Sequence, residues 1–202
     1  MTLTGQHPTL FSALWHVEGS VNRALRGMVL AFVGTLLLTL SAKFQVPFYP
    51  VPMTMQTFVV LGIGMAYGWR LGGATLLLYM AEGAMGLPVF AGTPEKGIGM
   101  AYMMGGTGGY LVGFVLAAMA TGWLAEKGFD RSVVGTAVAM AVGNALIYIP
   151  GVLYLGVLFG FDKPILDWGF TPFVLGDMAK LALAAAVMPL AWKALGKLDQ
   201  GA

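Results

Sequence analysis

The chain has 202 residues, of which 58% are hydrophobic and only 10% charged, with a formal net charge of +2 and a mean hydropathy of +0.80. A water-soluble domain carries charge on roughly a quarter of its residues, so this composition specifies a chain solvated by lipid. The small net charge leaves no basic face for nucleic acid, and the lack of cysteine removes disulfides, thiolate nucleophiles and Cys-based metal sites.

Residues 1–24 read as an interfacial lead-in and not as a cleavable signal, because Arg23 and Arg26 sit immediately before an apolar stretch longer than a signal's. Phe11, Leu14 and Trp15 fit either the headgroup region or a loosely ordered tail. The two histidines, His7 and His16, both fall here without a ligand cluster, which argues against a metal site.

A helix needs about 20 apolar residues to cross a hydrocarbon core of about 30 Å. Uncharged runs predict six such helices, an all-α integral membrane protein: Gly27 to Ala42, Met55 to Trp69, Leu71 to Phe90, Gly106 to Ala125, Ser132 to Phe159 and Thr171 to Trp192. Pro150-Gly151 should interrupt the fifth. Thr171-Pro172 should cap the sixth. The 30 glycines, about twice the usual share, suit close helix packing in a bilayer. The whole chain reads as one membrane domain, with the bundle over 25–195.

Six crossings place both termini on one side. Arg23, Arg26, Arg70, Lys127, Arg131, Lys193 and Lys197 fall on that side, against Lys43, Lys96 and Lys163 on the other. The excess of basic residues predicts that both termini are cytoplasmic. The irregular segments Phe44 to Gln56, Gly92 to Gly99 and Phe161 to Thr171 then all lie outside, as expected of a site loaded from that face.

Asp177 and Lys180 share one face of the sixth helix, roughly 8 and 12 Å below its start. Ionisable residues at that depth cost about 2.5–3.5 kcal/mol and generally face a cavity or a partner. They can be an ion pair fastening the bundle, or a pair whose remaining hydrogen bonds come from a polar ligand. Asn144 and Tyr148, four apart on the fifth helix, reach the same level, where Asn144 serves either a ligand or an interhelical hydrogen bond. Glu82 either joins this layer or pairs with a neighbour. Gly27, Ala31 and Thr35 form a small-residue row on the first helix, suited either to packing within the chain or to docking another protein.

The glycine-rich GGTGGY at 105–110 lacks the lysine of a phosphate-binding loop and reads as a close-packed helix start, where backbone can approach a ligand or another helix. No nucleophile and base pair, metal-ligand motif or carboxylate dyad accompanies it. Catalysis has no visible apparatus.

PVPMTMQTFVV ending at Val60, GLPVFAG at 86–92, GGTGGYLVGF at 105–114, GNALIYIPG at 143–151 and FVLGDMAK at 173–180 together resemble the BioY family, the biotin-specific substrate-binding components (S components) of energy-coupling-factor transporters. The resemblance covers residues 25–195. It implies a six-helix S-component fold in the inner (plasma) membrane, with biotin as transported ligand near the outer surface and no cofactor. It also implies a transmembrane coupling protein and two cytoplasmic ATPase subunits as partners. The sequence departs from many members in reading GGTGGY for GPTGGY, and TPEKG where some carry an arginine.

Biotin has a ureido group with two N–H donors and a carbonyl, an apolar bicycle and chain, and an anionic tail. With that ligand, Asp177 accepts the ureido N–H groups and Asn144 complements either edge. Lys180 donates to the ureido carbonyl or balances Asp177, and Lys96 takes the arginine's place at the tail. Phe48, Tyr49, Val51, Gln56, Phe90 and Tyr148 wall the apolar part, with the first loop as lid. By the same resemblance, Gly27, Ala31 and Thr35 dock the coupling protein. A different class stays open beside this one: a solitary proton-coupled carrier of small acids, using Asp177, Glu82 and Lys180 as relay.

Overall fold

The computed structural model describes residues 7–15 and 18–200, with side chains as far as 196. His16 and the side chain of Lys197 lie outside the described residues. A short helix, α1 (Leu10–Leu14), is capped by Thr9, whose Oγ1 accepts from Ser12 N at 3.4 Å. Phe11 sets its ring edge-on against Tyr67 at 5.1 Å. α2 (Ser20–Lys43) starts well before the expected Gly27, because nothing in SVNRALRG breaks a helix once Gly19 has turned the chain at φ 83°.

Beyond α2 the proline-rich segment folds into a small antiparallel hairpin, β1 (Gln45–Val46) with β2 (Met53–Thr54). α3 (Gln56–Tyr67) and α4 (Trp69–Ala84) follow, separated by Gly68 at φ 82°. α4 stops short of the expected Phe90 because Gly86, at φ 98°, and Pro88 deny the chain helical geometry. α5 (Gly99–Met103), α6 (Gly108–Glu126), α7 (Val133–Phe159), α8 (Ile165–Gly169) and α9 (Val174–Gln200) complete the chain.

Ser132 caps α7, its Oγ accepting from Gly135 N at 3.0 Å. The helix runs through Pro150 and ends at Phe159, the expected end. Thr171 is not the cap of the last helix. Residues 171–173 form a 3-10 turn, and the Thr171 hydroxyl turns back to Leu166 O at 3.2 Å.

Glycine lets the bundle close. A Cβ on Gly113 of α6 would sit 2.7 Å from Ile147 Cα of α7, and one on Gly143 would strike Leu61 of α3. Substituted residues at these positions would force the backbones apart. Among the described residues, four stretches are long and apolar enough to cross a bilayer: α2, α6, α7 and Ile165–Gly196, which runs through α8 into α9. With 12 residues, α3 reaches only about 18 Å. Residues 7, 69, 126, 130 and 192 gather at one end, where His7 N and Trp69 N donate to Glu126 and Trp192 Nε1 donates to Asp130 at 2.6 Å. The hairpin and the segments 85–107 and 160–173 close the other end.

Candidate functional site

The first turns of α9 carry the two charges of the site. Asp177 and Lys180 lie 2.9 Å apart, Nζ to Oδ1, with side chains only 8% and 10% exposed. An ion pair this far from water holds only where its remaining donors and acceptors are satisfied, and here three other elements supply partners. Thr57 of α3 donates to Asp177 Oδ1 at 3.1 Å and accepts from Lys180 Nζ at 2.8 Å. Tyr148 of α7 donates to Asp177 Oδ2. Thr54 O, in β2, accepts from Lys180 Nζ at 2.7 Å.

A cavity of about 50 Å³ lies against this cluster. Its polar side carries Asp177, Lys180, Thr57 and Gln56; Val51, Pro52, Met53 and Thr54 bring the hairpin segment to it, and Phe90, Tyr102, Tyr110, Phe114, Ile147 and Phe173 form the apolar side. Gln56 Nε2 donates to Tyr79 OH at 2.7 Å, and Tyr79 OH donates to Val89 O at 2.8 Å. Tyr148 is held edge-on to Phe170 at 5.1 Å and to Tyr110 at 6.2 Å, so its hydroxyl is aimed at the carboxylate by packing as well as by hydrogen bonding.

The hydrogen-bonding capacity of the cluster defines what it can take. An ionised carboxylate has about four acceptor directions and an ammonium has three donors. Asp177 already receives Lys180, Thr57 and Tyr148, which leaves about one direction for a ligand N–H. Lys180 has all its donors engaged, so a ligand carbonyl must take the place of Thr54 O or Thr57. The arrangement suits a neutral group that presents N–H and C=O side by side. Among the described residues no His, Cys, Asp or Glu cluster could hold a metal ion.

Of the expected site residues, Asp177, Lys180, Tyr148, Gln56, Val51 and Phe90 come together on this cavity. Asn144, Tyr49 and Lys96 are not among its lining residues. Asn144, a turn before Tyr148, has a buried Oδ1 with no hydrogen-bond partner. Tyr49 is 81% exposed, and Lys96 is exposed on its loop with its methylenes over Gly92. Phe48 stands behind the wall, edge-on to Phe173 at 6.2 Å.

Of the small-residue row of α2, Thr35 is buried, whereas Gly27 and Ala31 are half-buried. Gly27 faces Leu71 of α4, and Thr35, 2% exposed, donates to Glu82 Oε1 at 3.1 Å. That bond also takes Glu82 away from the Asp177 cluster, which weakens the relay. Thr57 went unnoticed in the sequence because an uncharged hydroxyl within an apolar helix carries no cost that marks it. Tyr110 sits inside GGTGGY, where the glycines mark a close approach of backbone and give the tyrosine no signal of its own.

The sequence model of the BioY family matches residues 12–197. The chain belongs to the BioY family. The biotin transporter BioY of Thermotoga maritima is 37% identical over 163 residues, 81% of this chain and 94% of that one. A probable biotin transporter BioY from Pyrococcus horikoshii is 34% identical, over 75% of this chain and 86% of its own. Among solved structures, the S-component for biotin from an ECF-type ABC transporter superposes with a TM-score of 0.73 at 20% identity, covering 88% of this chain and 95% of its own. The BioY motifs singled out in the sequence thus sit on an S-component fold.

Proposed function

We propose that this chain is the biotin-binding S component of an energy-coupling-factor transporter, a transport subunit and not an enzyme. It captures biotin at the outer face and passes it inward with a transmembrane coupling protein and two ATPase subunits. The observation that carries this reading is the buried Asp177–Lys180 pair at the edge of a part-apolar cavity, in a chain of the BioY family. Asp177 takes a ureido N–H in its remaining acceptor direction, Lys180 exchanges Thr54 O for the ureido carbonyl, and Phe90, Tyr102 and Phe173 cover the bicycle.

The six helices α2, α3, α4, α6, α7 and α9 then form one domain in the plasma membrane. Both termini lie at the cytoplasmic end, where Arg70, Lys127, Arg131 and Lys193 concentrate. Val51, Pro52, Met53 and Thr54 bring the hairpin segment 44–55 over the cavity, and that segment is the lid. A coupling protein meets α2 through the half-exposed Gly27 and Ala31 of the small-residue row, beside the outward Phe32, Leu36 and Leu40.

Equilibrium binding to the purified chain in detergent, with labelled biotin competed by desthiobiotin, lipoate and thiamin, tests the reading. Saturable biotin binding that thiamin does not displace is expected. A chain that retains no biotin, or prefers thiamin, refutes it.

A further inference from the structure

Lys43 ends α2, and its side chain turns across to the segment between α4 and α5. Its Nζ lies within hydrogen-bond reach of Pro88 O at 2.8 Å, Phe90 O at 3.1 Å, Thr93 O at 3.1 Å and Thr93 Oγ1 at 3.2 Å. A single ammonium therefore gathers the carbonyls of a stretch that has no regular structure to pair them. The next residue, Phe44, accepts from Met55 N at 3.1 Å and so closes the base of the hairpin. Lys43 thus stands where both outer walls of the cavity meet, joined to one by its main chain and to the other by its ammonium.

The ring of Phe90 depends on that stretch. It stacks on Tyr102 at 5.0 Å, meets the edge of Tyr79 at 5.3 Å and fills the space over Gly83, where a Cβ would collide with it. Those contacts fix the ring only while the main chain at 88–93 stays in place.

We propose that Lys43 is a positioning residue of the binding site: by holding the carbonyls of Pro88, Phe90 and Thr93 it sets the height of the Phe90 ring against the ligand. The proposal rests on reading this cavity as the biotin site. It assigns Lys43 no contact with the ligand.

The test uses Lys43→Met, Lys43→Arg, Phe90→Ala and the Lys43→Met/Phe90→Ala double variant of the full chain. Biotin dissociation constants are measured in detergent, and hydrogen exchange of the amides at 88–97 is followed without ligand. Lys43→Met should weaken biotin about tenfold, the scale of a lost charged hydrogen bond, and Lys43→Arg should restore most of it. In the Phe90→Ala background the same change should cost less than about twofold, since a residue that acts through another is silent once that other is gone. An equal loss in both backgrounds, or no loss in either, overturns the proposal. A wild-type chain that holds no biotin sinks the biotin reading instead. In that case the exchange data decide: faster exchange at 88–97 in Lys43→Met supports the positioning role, and unchanged exchange overturns it.

Discussion

Lys180 Nζ donates to the main-chain carbonyl of Thr54 at 2.7 Å, which ties the last helix to the strand that covers the cavity. The same ammonium is paired with Asp177 at 2.9 Å, so the charge that holds the hairpin is also the charge that balances the buried carboxylate. Removing either partner leaves the other uncompensated, a loss of about 3–5 kcal/mol for a buried pair. Lys180→Met and Asp177→Leu should each lower the melting temperature in detergent. The double variant should melt higher than either single one while binding no biotin. A double variant that is as unstable as the sum of the singles would show that the two side chains do not act as a pair.

The lid follows from the same bond. If a ligand carbonyl takes the donor now given to Thr54 O, the hairpin is released from α9 when biotin binds. A spin label at position 49, 81% exposed in the wild-type tyrosine, paired with one at Ile98, should report a changed distance on adding biotin. With Lys180→Met the free chain should already show the broader distance distribution. Identical distributions with and without biotin in the wild type contradict the exchange of partners.

Thr57 has no charge, yet it touches both members of the pair. Thr57→Val keeps the shape and removes one donor to Asp177 and one acceptor from Lys180. Each unmatched buried group costs about 1–3 kcal/mol. The substitution should therefore reduce biotin affinity by at least about tenfold, whereas Thr57→Ser should stay within a few-fold of wild type. Equal affinities for the valine and serine variants would remove Thr57 from the site.

What the sequence revealed of this site follows from cost. A carboxylate and an ammonium three residues apart in an apolar run are expensive in lipid, and Asp177 and Lys180 are visible for that reason. Tyr148 was found by its four-residue step from Asn144, but the step fixes only a shared face. Two residues four apart differ by about 40° around a helix of 3.6 residues per turn, and Tyr148 reaches Asp177 while Asn144 does not line the cavity. Lys96 and Tyr49 belong to loops, where spacing carries no direction. The helices themselves were legible as apolar runs. Their ends were not, because Gly68 and Gly86 break the chain through backbone geometry that hydropathy does not register.

The row Gly27, Ala31 and Thr35 illustrates the same limit from the packing side. Its period marks a face but not the neighbour: Thr35 is bonded to Glu82 of α4, while Gly27 and Ala31 stay half-buried. Gly113 of α6 makes a stronger demand, since its missing Cβ leaves room for the main chain at Ile147. Gly113→Val should separate α6 from α7 and destabilise the chain by more than the ~1–3 kcal/mol of an overpacked core, because backbone cannot move aside as a side chain can. A melting temperature within a degree of wild type would show that the two helices adjust freely.

At the far end of the bundle, Asp130 is 1% exposed between α6 and α7, with Oδ2 accepting from Trp192 Nε1 at 2.6 Å and Oδ1 unpartnered. Burial raises its pKa above the ordinary carboxylate value; the Trp192 hydrogen bond, the Arg131 charge, its own backbone N–H and the His7 charge offset this only in part. A carboxyl whose folded pKa is raised binds a proton more readily in the folded than in the unfolded chain. Its stabilisation is fully present below the unfolded pKa and is lost as pH rises through the folded one. Between those two values, stability should fall with rising pH, and at pH 7 the ionised, half-satisfied carboxylate is a net cost. Asp130→Asn keeps an acceptor for Trp192 and removes the charge. It should raise the melting temperature at pH 7 and flatten the pH profile in the weakly acidic range. Asp130→Leu loses the Trp192 bond as well and should not match it. If Asp130→Asn melts lower than wild type at pH 7 and leaves the profile's slope unchanged, the carboxylate is compensated by contacts stronger than Trp192, Arg131 and His7 provide.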